Sequence, residues 1–267
     1  MSRLIPSLHF SRLWRIDFFN PDCRQAFITR RGIVPCGCAP VFFWSTHVIQ
    51  TIQIDPCQLK AIALLAPKQD QRYWLNGVFV EAMPRETRLV AMDGQRMGVF
   101  RAEKANQLGD AICVGCILPH NVIECVKPVR GKFGCLELRL DTERLGWAEL
   151  THGGTPFEFV RPDAGYPIYR RAIGPHRGSG EPGQCDPRHL YDFHRVFQAL
   201  EGRFATDRGG VFLHHNGSDN TRVSLHGRED FVGTVRPRKG DGPALLSWAD
   251  SPAPVARVDA AVLAEPA

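Results

Sequence analysis

The chain has 267 residues, of which 43% are hydrophobic and 23% charged, with a formal charge of +5. That composition supports a buried core and excludes wholesale disorder, and no apolar run approaches the roughly 18 residues of a membrane span. The first twenty residues, MSRLIPSLHFSRLWRIDFFN, break any apolar stretch with Arg12, Arg15 and Asp17, so the reading is a cytoplasmic protein whose nine cysteines are reduced thiols.

Residues 1–51 follow neither helical nor alternating periodicity for long. From Ile52 the text becomes regular. Asp55-Pro56 opens a helix, as N-cap and first helical residue. Leu59, Ile62, Ala63 and Ala66 keep helical spacing, and Pro67 ends it. Three strand-like runs follow, Tyr73–Ala82, Thr87–Met92 and Gln95–Arg101, and Asp93-Gly94 between the last two is a hairpin signal. A second helix starts near Leu118 with Val122, Val126 and Val129 in phase, and Pro128 shortens it. Three more strand-like runs succeed it, Cys135–Leu140, Leu145–Thr151 and Pro156–Val160. The stretch 175–185, rich in Gly and Pro, reads as a linker.

Asp186-Pro187 repeats the entry of the first helix. Leu190, Phe193, Phe197 and Leu200 form one face of this third helix, Arg188, Asp192 and Arg195 the other, and Gly202 can end it. A third set of strands, Gly210–His215, Thr221–His226 and Asp230–Arg236, closes the regular part, with turn chemistry at 216–220. The chain therefore reads as three copies of one α+β unit, a short helix followed by about three antiparallel strands. Residues 240–267 carry four acids against Arg257, a net of −3, and read as a disordered tail; residues 1–239 carry +8. Such an excess suits a polyanionic partner without requiring one.

Chemical motifs are sparse. Cys113 and Cys116 have the spacing of a redox pair or half a zinc site. They fall in a strand-like run that turns residues three apart to opposite faces, and Cys36-Gly-Cys38 is a poor second half. Core thiols are the favoured reading, with a thiol or zinc protein as the competing one. His214, His215 and His226 read as a solvated hairpin rather than ligands. No phosphate loop, HExxH or GxSxG is present, so neither an enzyme nor a cofactor is expected. Basic residues flank all three helices: Lys60 and Lys68, then Lys127, Arg130 and Lys132, then Arg188, Arg195 and Arg203. Helices sharing one surface would offer these cations to phosphates without reading bases.

The stretch KQDQRYWLNGVFVEA…TRLVAMDGQRMGV, residues 68–99, resembles the middle domain of the bacterial sliding clamp, the beta subunit of the replicative DNA polymerase. The resemblance extends through ILPHNVIECVKPV, GYPIYRRAIGP, DPRHLYDFHRVFQAL and FVGTVRPRK, so it covers residues 52–239. It implies an α+β, DNA-clamp-like fold of repeated helix-plus-antiparallel-sheet half-domains. A clamp-like domain would fill 52–174 and a clamp-like half-domain 186–239. Only one and a half of the family's three domains are matched.

The roles implied fall into two sets. Gln69, Arg72, Tyr73 and Trp74 match a loop that touches DNA in the family, joined by the helix-flanking Lys60, Lys68, Lys127, Arg130, Arg188 and Arg195. Leu75, Met92, Gly94, Gln95, Arg96, Met97, Pro167, Arg171 and Ala172 match a pocket for short peptides, and Thr234 and Arg236 match its C-terminal wall. Gln95 stands where the family carries His, and Arg236 where it carries an apolar residue. The implied partners are double-stranded DNA, a polymerase and clamp-loader subunits that bind through a short peptide, and further copies of the chain. The implied function is a processivity factor, with a non-encircling adaptor or decoy for clamp-binding peptides as the alternative.

Overall fold

The computed structural model describes residues 49–127, 134–142, 144, 146–174, 183–202, 209–216 and 219–238. All of them belong to one unit of the chain. The helices anticipated from the two Asp-Pro pairs form as α1 (Pro56–Ile62) and α4 (Pro187–Glu201).

 In each, the Asp before the proline accepts backbone N–H groups that the first turn cannot use: Asp55 from Cys57 and Gln58 at 2.8 and 3.0 Å, Asp186 from Arg188 at 2.9 Å. A cap of this kind contributes about 1 kcal/mol. The second helix, α2, is one and a half turns, His120–Cys125, and Pro119 precedes it. The remaining helix is α3, a single turn at Arg170–Ile173.

Eleven strands are described. They are β1 (Ile49–Ile54), β2 (Gly77–Met83), β3 (Glu86–Met92), β4 (Arg96–Glu103), β5 (Val114–Pro119), β6 (Leu136–Asp141), β7 (Trp147–His152), β8 (Thr155–Val160), β9 (Val211–His214), β10 (Thr221–Leu225) and β11 (Arg228–Val235). The sequence places the triplets β2–β4, β6–β8 and β9–β11 after their helices. It does not show that β1 and β5 each precede a helix and exchange partners. β1 pairs with β6 of the second unit, and β5 pairs with β2 of the first. The repeat is therefore strand, helix, three strands, with the leading strand donated to the other copy.

The result is a four-stranded sheet, β1-β6-β7-β8, and a seven-stranded sheet, β5-β2-β3-β4-β11-β10-β9, both antiparallel in every described pairing. The seven-stranded sheet crosses the 175–185 linker: β4 of the first copy and β11 of the third are direct neighbours, with Gly98 opposite Gly233. The segments 52–174 and 186–239 thus share a sheet. They also share a core, in which Ile62 and Leu65 from the α1 region, Phe193 and Val196 from α4, and Leu138 and Leu150 from the smaller sheet are all buried.

One strand expectation is corrected. Tyr73–Leu75 is a turn of 3-10 helix, and β2 begins only at Gly77. Asp70 and Asn76 cause this by clasping each other: the Asp70 N–H donates to Asn76 Oδ1 at 2.8 Å, and Asn76 Nδ2 donates to the Asp70 carbonyl at 2.9 Å. Side-chain bonds of this kind compete with a strand ladder. Asn76-Gly77 is accordingly not a hairpin. Gly77 is needed because β5 crosses so closely that a Cβ would lie 2.2 Å from the Leu118 carbonyl oxygen. Asp93-Gly94 does close a hairpin, with Met92 paired to Met97 and Gly94 at φ +91. The centre of the 216–220 turn, the tail, most of the linker and Arg130, Lys132, Arg203, Cys36 and Cys38 lie outside the described residues.

Candidate functional site

The two faces of the seven-stranded sheet carry different loads, because alternate residues of a strand point to opposite sides. On β3 and β4, Leu89, Ala91 and Phe100 join the main core beneath α1 and α4. Val90, Met97 and Val99 point the other way and form a second cluster with Tyr169. That cluster is covered by the segment 166–174, which runs from the smaller sheet towards the third copy. Tyr166 stacks on Phe79 with centroids 4.6 Å apart and planes 6° from parallel.

Polar contacts fix this connector at both ends. Tyr169 Oη donates to Glu81 Oε2 at 2.5 Å, and Arg170 Nη2 donates to the same oxygen at 2.7 Å. Arg88 stands 3.7 Å from it and also pairs with Glu86. Burial pushes the Tyr169 phenol up from its ordinary range, so it remains a neutral donor to the carboxylate. Beyond α3, Asn220 Nδ2 donates to the Ala172 carbonyl at 3.0 Å and Arg222 Nη2 to the Gly174 carbonyl at 3.1 Å. The connector thereby touches β2 of the first copy and β10 of the third.

The β3–β4 hairpin lies at one end of the same sheet. Asp93 Oδ1 accepts the N–H groups of Gln95 and Arg96 at 2.8 and 2.9 Å. The Gln95 carbonyl accepts the Arg236 N–H at 2.7 Å, so the chain after β11 is tied to the hairpin. Thr234 is paired opposite Met97 and is buried.

Of the residues expected in the peptide pocket, Met92, Met97 and Ala172 therefore meet in the outer apolar cluster. Pro167 and the exposed Arg171 belong to its cover, and Gly94, Gln95 and Arg236 to its exposed rim. Leu75 is buried in the 3-10 turn outside both clusters. Arg96 faces away from the cluster: it pairs with Asp192 on α4 and with Asp93 at 3.2 Å. Desolvation pulls its guanidinium down from the ordinary value, with Asp93 opposing. Sequence reasoning missed Phe79, Glu81, Arg88, Tyr166 and Tyr169. The available signal was an acid on the outward side of β2 and two tyrosines three apart in the connector.

The residues expected to touch DNA are more scattered. Lys68, Gln69, Arg72 and Tyr73 are exposed in the segment before β2, and Trp74 is half-buried against Tyr73. The Arg72 guanidinium is held by Asp70 at 2.8 Å and by the Asp93 carbonyl at 2.9 Å. The hydrogen bonds from the Arg72 side chain, and then from its backbone N–H, depress the Asp70 carboxyl to about 2. Arg72 thus braces the β3–β4 hairpin. On the helices, Lys60 Nζ donates to the Glu124 carbonyl at 3.2 Å, Arg188 pairs with Asp186 at 2.9 Å and Arg195 with Asp192 at 3.2 Å. Lys127 is exposed after α2.

Other candidates resolve simply. Cys116 is buried in the core and its thiol is pushed up to about 12 by desolvation, whereas Cys113 is exposed. His214 Nε2 lies 2.8 Å from Ser224 Oγ. Among the described residues no group of three or more His, Cys, Asp or Glu side chains could hold a metal ion, and no helix is long and apolar enough to cross a membrane.

Neither protein-family models nor curated proteins match the sequence. Solved structures do match the fold. A DNA polymerase sliding clamp from Pseudomonas aeruginosa, solved with a ligand, superposes with a TM-score of 0.51 at 15% identity over 71% of this chain. The DNA polymerase III beta subunit from Thermotoga maritima gives 0.51 at 14% identity over 72%. The DNA polymerase III beta subunit from P. aeruginosa gives 0.50 at 16% over 71%. In each case the chain spans 66% of the matched protein, just under two thirds. The fold is α+β and is that of the sliding clamps; at this identity the likeness concerns the fold alone.

Proposed function

We propose that the chain is a sliding-clamp-like processivity factor of DNA replication, an accessory protein rather than an enzyme. It tethers a polymerase or clamp loader through a peptide bound on the outer face of the seven-stranded sheet, and it holds duplex DNA through contacts that ignore base sequence. The observation that carries this reading is the convergence of Met92 and Met97 with Ala172 of the connector, beside a rim of Gly94, Gln95 and Arg236. These are positions where the sequence resembles the family's peptide pocket. The clamp fold supports the same reading. Lys60, Lys68, Lys127 and the Gln69–Trp74 segment are the proposed DNA contacts, with Arg188 and Arg195 after exchange of their carboxylate partners; Arg130 belongs to the same proposed set. Cytoplasmic location and self-association are part of the proposal.

A second reading is favoured by the ion pairs. Arg72, Arg188 and Arg195 are already neutralised within the chain, which lowers the counterion release that drives DNA binding. A non-encircling adaptor or decoy that binds clamp-binding peptides would tolerate this. Two measurements separate the readings: the native mass by light scattering, and the salt dependence of binding to a closed circular duplex and to its linear form. The processivity reading expects an oligomer, affinity that falls steeply with salt, and retention on circular DNA that linearisation abolishes. A monomer that binds a polymerase-derived peptide but retains neither DNA form establishes the adaptor. Failure to bind both peptide and DNA overturns both.

A further inference from the structure

A cavity of about 470 Å³ adjoins the outer cluster at Phe79 and lies where the free edge of β5 meets the end of β8. Its apolar wall is made by Phe79, Cys116, Ile117, Val160 and Pro162. Gly115 keeps it open, since a Cβ there would lie 3.0 Å from the Phe79 ring. The volume falls within the range usual for small-molecule sites.

Arg161 supplies the positive charge in this wall. Its backbone N–H donates to the Gly146 carbonyl at 2.7 Å, which anchors the residue to the start of β7. Its guanidinium has no ion pair or hydrogen bond with any described residue, and its Nε is buried. The contrast is with Arg72, Arg88, Arg96, Arg170 and Arg228, each of which faces a carboxylate. An unpaired, half-buried guanidinium is costly unless an acceptor meets it. Its positive potential reaches the neighbouring Cys116 thiol, where it opposes the effect of burial. Asp163 is on the same wall, but it is exposed at the rim and screened by water. Because β5 is the last strand of its sheet, half of its backbone N–H and C=O groups face away from β2 and add neutral hydrogen-bonding groups.

We propose that this cavity binds a small organic monoanion, a carboxylate on an apolar body the size of an aromatic ring. The carboxylate pairs with Arg161 in the fork geometry that guanidinium favours, and the body packs between Phe79, Ile117 and Val160. The proposal stands independently of the proposed function.

The test is an NMR titration of the full chain with phenylacetate, following the Gly115 and Ile117 amides and the Arg161 Nε–H. Saturable shifts at all three are expected. Arg161→Gln should weaken binding by about ten- to a hundredfold, the worth of a charge-assisted hydrogen bond. Benzylammonium should not bind. The unliganded variant should melt no lower than the parent, because it loses an unpaired charge, and phenylacetate should raise the melting temperature of the parent only. Absence of saturable shifts, equal binding by Arg161→Gln, or equal binding of benzylammonium overturns the proposal. Inorganic phosphate binding as tightly as phenylacetate overturns the apolar half of it.

Discussion

Gly233→Ala tests the junction on which the candidate site depends. Gly233 lies on β11 opposite Gly98 of β4, and the two glycines let α1 and α4 approach the sheet. A Cβ at Gly233 would lie 2.4 Å from Phe193 Cε1 and 3.0 Å from its Cζ. Phe193 cannot give way easily: it is fully buried and meets Phe231 edge-on at 6.1 Å. Overpacking of this kind costs about 1–3 kcal/mol. Replacing glycine returns about 0.4–1 kcal/mol by restricting the unfolded chain. The net destabilisation should be about 1–2 kcal/mol, which lowers the melting temperature by roughly 2–8 °C for a unit of this size. Gly210→Ala is the control, because a Cβ there meets nothing within 4 Å; it should be neutral or slightly stabilising. Urea unfolding of both variants reads the difference at constant m-value. If Gly233→Ala is as stable as the parent, then β4 and β11 are not joined beneath Phe193. The rim formed by Gln95 and Arg236 would then lack its foundation.

Glu81→Gln removes the carboxylate shared by Tyr169 and Arg170. The charged hydrogen bonds lost are worth about 1.5–3 kcal/mol in favourable settings, so trypsin should cut after Arg170 or Arg171 at least several times faster than in the parent; an unchanged cleavage rate would mean that Glu81 does not hold the connector. Asp186 is capped against α4 and paired with Arg188 and Arg238, and the Arg188 hydrogen bonds hold its carboxyl far below the ordinary range. A depressed native value means that the unfolded chain takes up the proton first as pH falls. Its contribution is complete above about pH 4 and fades below it. Asp186→Asn keeps the cap but not the ion pairs, so its stability deficit against the parent should shrink between pH 5 and pH 2. A deficit that stays constant across that range would place the stabilising effect elsewhere.

Local chemistry made much of the fold legible. Asp55-Pro56 and Asp186-Pro187 fix two helix starts because a carboxylate and a ring satisfy the first turn whatever lies around them. Asp93-Gly94 fixes a hairpin because glycine reaches positive φ without cost. Tyr73–Leu75 has the composition of a strand but forms a 3-10 turn, because that composition yields to the Asp70–Asn76 clasp.

The sequence by itself determined the threefold repeat of helix and strands, the caps, the core faces and the likeness to the clamp family, since each depends on residues near one another in the chain or on a pattern along it. Tertiary structure alone decided the rest. The exchange of β1 and β5 between copies, the Gly98–Gly233 joint and the Glu81–Tyr169–Arg170 tie link positions from 32 to 135 residues apart. Charge counts along the chain likewise could not reveal that Arg72, Arg188 and Arg195 are paired while Arg161 pairs with no described residue. Pairing depends on where carboxylates end up in space, and nothing in a helix or strand period encodes that.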